Sequence, residues 1–308
     1  MMLRGGGFRT IGLQQLAVCA LGFGVAGGAL GSILRSPAPP PATDVVVAAP
    51  AAPVTAGELR VTPSAGWKAD PAADLAVAGL RGPRAVTLRG PRGAAVIGQA
   101  TPAGPDLLPA GLRKAAGARL GRSVPIRFAG GVTAVRYPAL PVGPKQAPLD
   151  VYAVPTTHDV VVLACPRSDA TCPALLSTLR LRAGRVLTPG PDAAMRAGLD
   201  DILVRLARTR RDARDQIAFA NNPADRTAAA HDVAAAYRTA ASELSPLSGG
   251  TPRSHETLGL LRRLARDHDQ LAASAATRDP AAFARDGHTV TDDEIGLQTL
   301  LGVWHDAT

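Results

Sequence analysis

The stretch that most constrains this chain is residues 149–181, LDVYAVPTTHDVVVLACPRSDATCPALLSTLRL. Residues 151–154 are a β-type run, 155–159 are polar and turn-forming, and 160–164 run back into Cys165. Two β-rich runs around a polar turn predict a hairpin. Cys172 follows after six intervening residues and opens a short helical pattern through Leu179 that would pack back on the sheet. One stretch thus predicts two strands, a staple and a covering helix. It indicates how a core is built and carries no catalytic signature.

Around it the sequence predicts further strands at 58–62, 85–88, 94–99, 124–128 and 133–137, and a helix at 110–120 with Arg113, Lys114 and Arg119 outward. Trp67 is expected to anchor the core, because aromatic residues make up only 3% of the chain. Several short strands with a few helices imply α+β architecture, a mostly antiparallel sheet with covering helices. Beyond residue 189 the pattern changes to helical spacing. Leu199, Ile202, Leu206, Ala213 and Ile217 mark one helix, broken at Asn221-Asn222-Pro223. Val233, Tyr237, Ala240 and Leu244 mark a second, and Leu258, Leu261, Leu264 and Leu271 a third, ending near Asp279-Pro280. A short helical turn is expected next, followed by a last helix opened by a capping box at Thr291-Asp292-Asp293-Glu294. Short breaks between helices imply an antiparallel bundle.

Residues 11–34 contain no charge and as a helix would span roughly 36 Å, enough for a hydrocarbon core of about 30 Å. Arg4 and Arg9 precede the segment and Arg35 alone follows closely, so the N-terminus is expected on the cytoplasmic side. A retained anchor is preferred to a cleaved signal peptide, since the apolar run is long and no small-residue cleavage site closes it. Ala20, Gly24, Gly28 and Ser32 recur every fourth residue, a stripe that permits close helix packing and self-association, although small residues are common throughout. Gly22 to Gly27 fits G-x-G-x-x-G, but no strand precedes it, which makes a dinucleotide site a chance match. The expected organisation is a cytoplasmic tail at 1–10, a transmembrane helix at 11–34, a Pro/Ala-rich tether at 35–57, an α+β domain at 58–188 and a helical bundle at 189–308.

Outside a membrane the environment permits disulfides, and Cys165 and Cys172 are read as bonded. No His cluster or second Cys pair completes a metal site, and no cofactor is expected. The net charge of +9 is uneven: residues 58–188 carry 17 basic and 7 acidic residues, whereas 189–308 carry 14 and 17. That excess suits either a solvated surface or an anionic partner. The scarcity of aromatics argues against single-stranded nucleic acid, which needs stacking platforms. Arg89, Arg92, Arg113, Lys114 and Arg119 are the anion-contact candidates. His255-Glu256 begins like H-E-x-x-H, but Gly259 breaks the pattern. Asp267-His268-Asp269 and His305-Asp306 are read as solvent-facing, because neighbours on a helix point apart.

Trp67, Ile97-Gly98, Leu107-Leu108-Pro109, Arg136-Tyr137, residues 151–157, residues 162–165, Cys172 and Leu179-Arg180-Leu181 carry a resemblance. The set resembles a group of uncharacterised actinobacterial single-pass membrane-anchored proteins. Their extracytoplasmic domain is similar to the PsbP-like α/β/α sandwich, and a helical region follows it. The resemblance runs from about residue 58 to the end and rests on structural motifs. It implies a non-enzymatic binding or scaffolding module, with an envelope protein or an anionic envelope polymer or lipid as partner. A sensor or accessory subunit signalling through its anchor is one alternative. The other is an envelope hydrolase, which would need a cleft gathering His231, His255 or His268 with carboxylates.

Overall fold

A computed structural model of the protein describes residues 52–64, 66–73, 75–143, 146–220 and 222–306. The expected cytoplasmic tail, the transmembrane helix with its Ala20/Gly24/Gly28/Ser32 stripe, and most of the tether lie outside the described residues. Among the described residues, no helix is long and apolar enough to cross a membrane.

In chain order the strands are β1 (Val54–Ala56), β2 (Leu59–Val61), β3 (Lys68–Ala69), β4 (Ala85–Gly90) and β5 (Gly93–Ala100). Helix α1 (Ala110–Ala116) precedes β6 (Val124–Arg127), β7 (Thr133–Leu140), β8 (Leu149–Pro155), β9 (Val160–Cys165) and β10 (Arg180–Leu181). Four long helices close the fold: α2 (Ala193–Phe219), α3 (Pro223–Leu244), α4 (Pro252–Thr277) and α5 (Pro280–Asp306). The architecture is α+β: antiparallel sheets followed by a four-helix bundle.

The large sheet runs β3-β4-β5-β9-β8-β7-β6, and every pairing is antiparallel. The hairpin expected from residues 151–164 is β8–β9 at its centre, with Tyr152 opposite Leu163. Its turn closes on Thr156, whose hydroxyl donates to the Asp159 carbonyl at 2.7 Å and accepts from the Asp159 N–H at 3.1 Å. Both strands are buried along their whole length, because side chains alternate between two covered faces. Val160, Val162, Ala164, Val151 and Ala153 meet the helices. Val161, Leu163, Cys165, Tyr152 and Val154 meet the small sheet β1-β2-β10 and a 3-10 helix at Cys172–Thr178.

Cys165 and Cys172 form a disulfide with Cα atoms 5.9 Å apart, tying the end of β9 to the start of that 3-10 helix. Trp67 is 2% exposed in the same layer, and its indole N–H donates to Thr171 Oγ1 at 3.0 Å. Gly90 admits the ring: a Cβ there would strike it. β1 lies inside the stretch read from sequence as tether. Val54 pairs with Val61 and Ala56 is buried, so an apolar alternation short enough to pass for linker completes the second layer.

The bundle is antiparallel, as the contacts between helices show. Arg205 reaches Glu243 from α2 to α3, Thr227 reaches the Ala272 carbonyl from α3 to α4, and Thr257 meets Trp304 from α4 to α5. Asn222 caps α3 by accepting from the Asp225 N–H, and Thr251 caps α4 by accepting from the Ser254 N–H. Alanines at 229, 234, 240 and 241 let α3 sit close to its neighbours. One apolar cluster runs without a break from Val96 and Val162 in the sheet to Leu199, Leu261 and Trp304 in the bundle.

Two expectations are corrected. Residues 110–120 are not one helix: Gly117, at φ +50, ends α1, and a 3-10 turn follows. The capping box at 291–294 does not start a helix either. α5 runs continuously from Pro280, and the Thr291 hydroxyl donates back to the Gly287 carbonyl at 2.9 Å. No proline interrupts this run, and the Glu294 carboxylate finds stronger partners inside the bundle than a backbone N–H would offer.

Candidate functional site

The five basic candidates separate into two groups. Arg89, on β4, donates through Nε to Asp70 at 2.6 Å, and this hydrogen bond draws the Asp70 carboxyl below the usual range. Arg92 sits at the tip of the β4–β5 hairpin and donates to the Ser168 carbonyl at 2.9 Å. Arg113 does not point outward. Its Nε meets Asp106 at 2.8 Å and its Nη1 donates to the Ala103 carbonyl at 2.6 Å, pinning the loop before α1 to the helix. These three guanidiniums are committed to holding loops.

Lys114 and Arg119 are different. They are exposed, and among the described residues neither has an ion-pair partner. They converge with Arg81, which sequence reading did not single out, on an open hollow of about 760 Å³. Ala78, Ala115, Pro141 and Pro148 supply apolar wall, and among the described residues no acidic side chain lines it. Gln146 belongs to the same wall, and its Oε1 is shielded from water and accepts no hydrogen bond among the described residues.

The hollow exists because α1 sits hard against the turn joining Val77 to Leu80. A Cβ on Gly111 would stand 2.6 Å from the Gly79 nitrogen, so only glycine permits this approach. Gly79 itself has φ +89 and lies against Pro109, and the Ala78 N–H donates to the Val142 carbonyl at 3.1 Å. The backbone walls are therefore fixed by packing, while the three cations project from them. Arg81 was missed because it lies some thirty residues from Lys114 in sequence. Its neighbours Gly79 and Gly82, both at positive φ, were the available signal of a sharp turn.

The bundle holds a second polar group of residues. His268 was expected to face solvent, but it is 6% exposed and stacks on Tyr237 with ring centroids 5.5 Å apart. Its Nε2 is 3.8 Å from Glu294, which also pairs with Arg210 and Arg214 and accepts from the Tyr237 hydroxyl at 3.2 Å. Tyr237, His268 and Glu294 are buried inside the bundle, Arg210 is largely buried, and Arg214 reaches in from the surface. His231 lies elsewhere, at the surface, 3.3 Å from Asp269, and His255 is exposed on α4. Among the described residues no group of three His, Cys, Asp or Glu side chains is placed to hold a metal.

Comparison of the chain with protein-family models, with curated proteins and with solved structures finds no match.

Proposed function

We propose that this chain is a membrane-anchored extracytoplasmic binding or scaffolding module of the cell envelope, non-enzymatic, which engages an anionic envelope component. The observation that carries the reading is the hollow beside α1, where Arg81, Lys114 and Arg119 meet with no carboxylate in the wall among the described residues. Cations without partners keep their attraction for an incoming anion, whereas the paired Arg89 and Arg113 have already spent theirs on Asp70 and Asp106. The Cys165–Cys172 disulfide supports an oxidising compartment, and the uncharged run at 11–34 supports an anchor. The large sheet carries helices on one face and the small sheet β1-β2-β10 with a 3-10 helix on the other, whereas the α/β/α sandwich of the resemblance would place helices on both.

The test uses the full chain in zwitterionic nanodiscs with labelled polyglycerol phosphate, read by fluorescence anisotropy across a salt series. Binding should weaken as salt screens the charges. The triple reversal R81E/K114E/R119E should lower affinity at least tenfold, while R208E/R211E, which alters exposed arginines on α2, should leave it nearly unchanged. Absence of binding at low salt, or an equal loss in both variants, would remove this reading.

A further inference from the structure

We propose that the hollow beside α1 takes an amphiphile: a phosphate monoester carrying an alkyl chain, its head held by Arg81, Lys114 and Arg119 and its chain laid along Ala78, Ala115, Pro141 and Pro148. The inference rests on the reading of this hollow as an anion site and names the ligand class it fits.

Three observations point to that class. The volume, about 760 Å³, far exceeds what a bare phosphate fills and falls within the range of small-molecule sites, about 300–1,000 Å³. The wall is mixed: two arginines and a lysine suit a phosphate head, through forked guanidinium contacts and an ammonium point charge. The alanines and prolines offer only apolar surface, which a purely polar anion would leave wet and an alkyl chain would cover. The site is also preformed. The contact of Gly111 with the Ala78-Gly79 backbone and the Ala78–Val142 hydrogen bond fix the floor, so little ordering cost falls on binding. A dianionic head matches three cations that have no ion-pair partner among the described residues better than a single carboxylate does.

Isothermal titration of the full chain in zwitterionic nanodiscs, with protein-free discs as blank, would compare hexyl phosphate, inorganic phosphate and hexyl glucoside. The expected result is hexyl phosphate binding about tenfold or more tighter than inorganic phosphate, from burial of the chain. Hexyl glucoside should give no measurable heat. Ala115→Trp, which fills the apolar side, should remove the advantage of hexyl phosphate and leave inorganic phosphate unchanged. Lys114→Gln with Arg119→Gln should weaken both. Equal affinity for the two phosphates, with salt-sensitive polymer binding intact, would overturn the amphiphile and leave the anion site standing. Loss of every signal, polymer included, would overturn both.

Discussion

Burial by itself would push the Glu294 carboxyl upward, but the neighbouring His268 imidazole and the Arg210 and Arg214 guanidiniums override it and hold the group at about 2. The folded-state value lies below the ordinary 4.5, so this carboxylate stabilises the fold at neutral pH. That contribution shrinks below about pH 4.5 and is gone once pH falls through about 2. Glu294→Gln should therefore cost roughly 3 kcal/mol at pH 7, partly because it strands the largely buried Arg210. Urea unfolding checks this: the gap between variant and wild type should close as pH approaches 2, and a gap constant with pH would contradict the assignment. Asp267, on the same pair of helices, shows the opposite behaviour. Burial and the adjacent Asp293 raise its carboxyl, so it opposes folding at neutral pH and ceases to do so on acidification. None of this was legible in the sequence. His268 sits between two aspartates in a polar run, and only the rotation of α4 within the bundle turns it inward while Asp269 stays at the surface.

Among the elements, the β8–β9 hairpin was readable because valines run through β9, valine and tyrosine mark β8, and a polar turn separates them. The disulfide followed from cysteines at the two ends of adjoining elements. α5 was misread at its middle, since Thr-Asp-Asp-Glu satisfies the capping pattern locally while the helix simply continues. Gly287 gives a direct test. It sits within α5, and a Cβ there would meet nothing within 4 Å. In a continuous helix, Gly287→Ala should stabilise the protein by about 0.5–1 kcal/mol, measured as a shift in urea midpoint at unchanged slope. No gain would favour a break between Pro280 and Thr291. α1 was misjudged for a related reason: helix-forming residues on both sides of Gly117 hide a backbone position at positive φ.

At the scale of the molecule, the sheet and the bundle share one apolar cluster, so they should unfold together. The chain's two tryptophans report the two halves: Trp67 lies beneath the small sheet, and Trp304 lies in the bundle with its indole N–H donating to Thr257 at 3.1 Å. In Trp67→Phe and Trp304→Phe the remaining fluorescence follows one half at a time. Within each variant its transition should coincide with loss of far-ultraviolet circular dichroism. Separate midpoints would mean that the cluster does not couple the halves. By itself the sequence determined the α+β class, the central hairpin, the staple and the helical-bundle ending, because each is written in periodicity, turn chemistry or cysteine placement within a few dozen residues. Only the tertiary structure decided which cations are free and which are bound to carboxylates, that Arg81 joins Lys114 and Arg119, and that His268 is buried. Those outcomes depend on contacts between segments distant in the chain, set by how closely glycine and alanine allow backbones to approach, and local pattern carries no record of them.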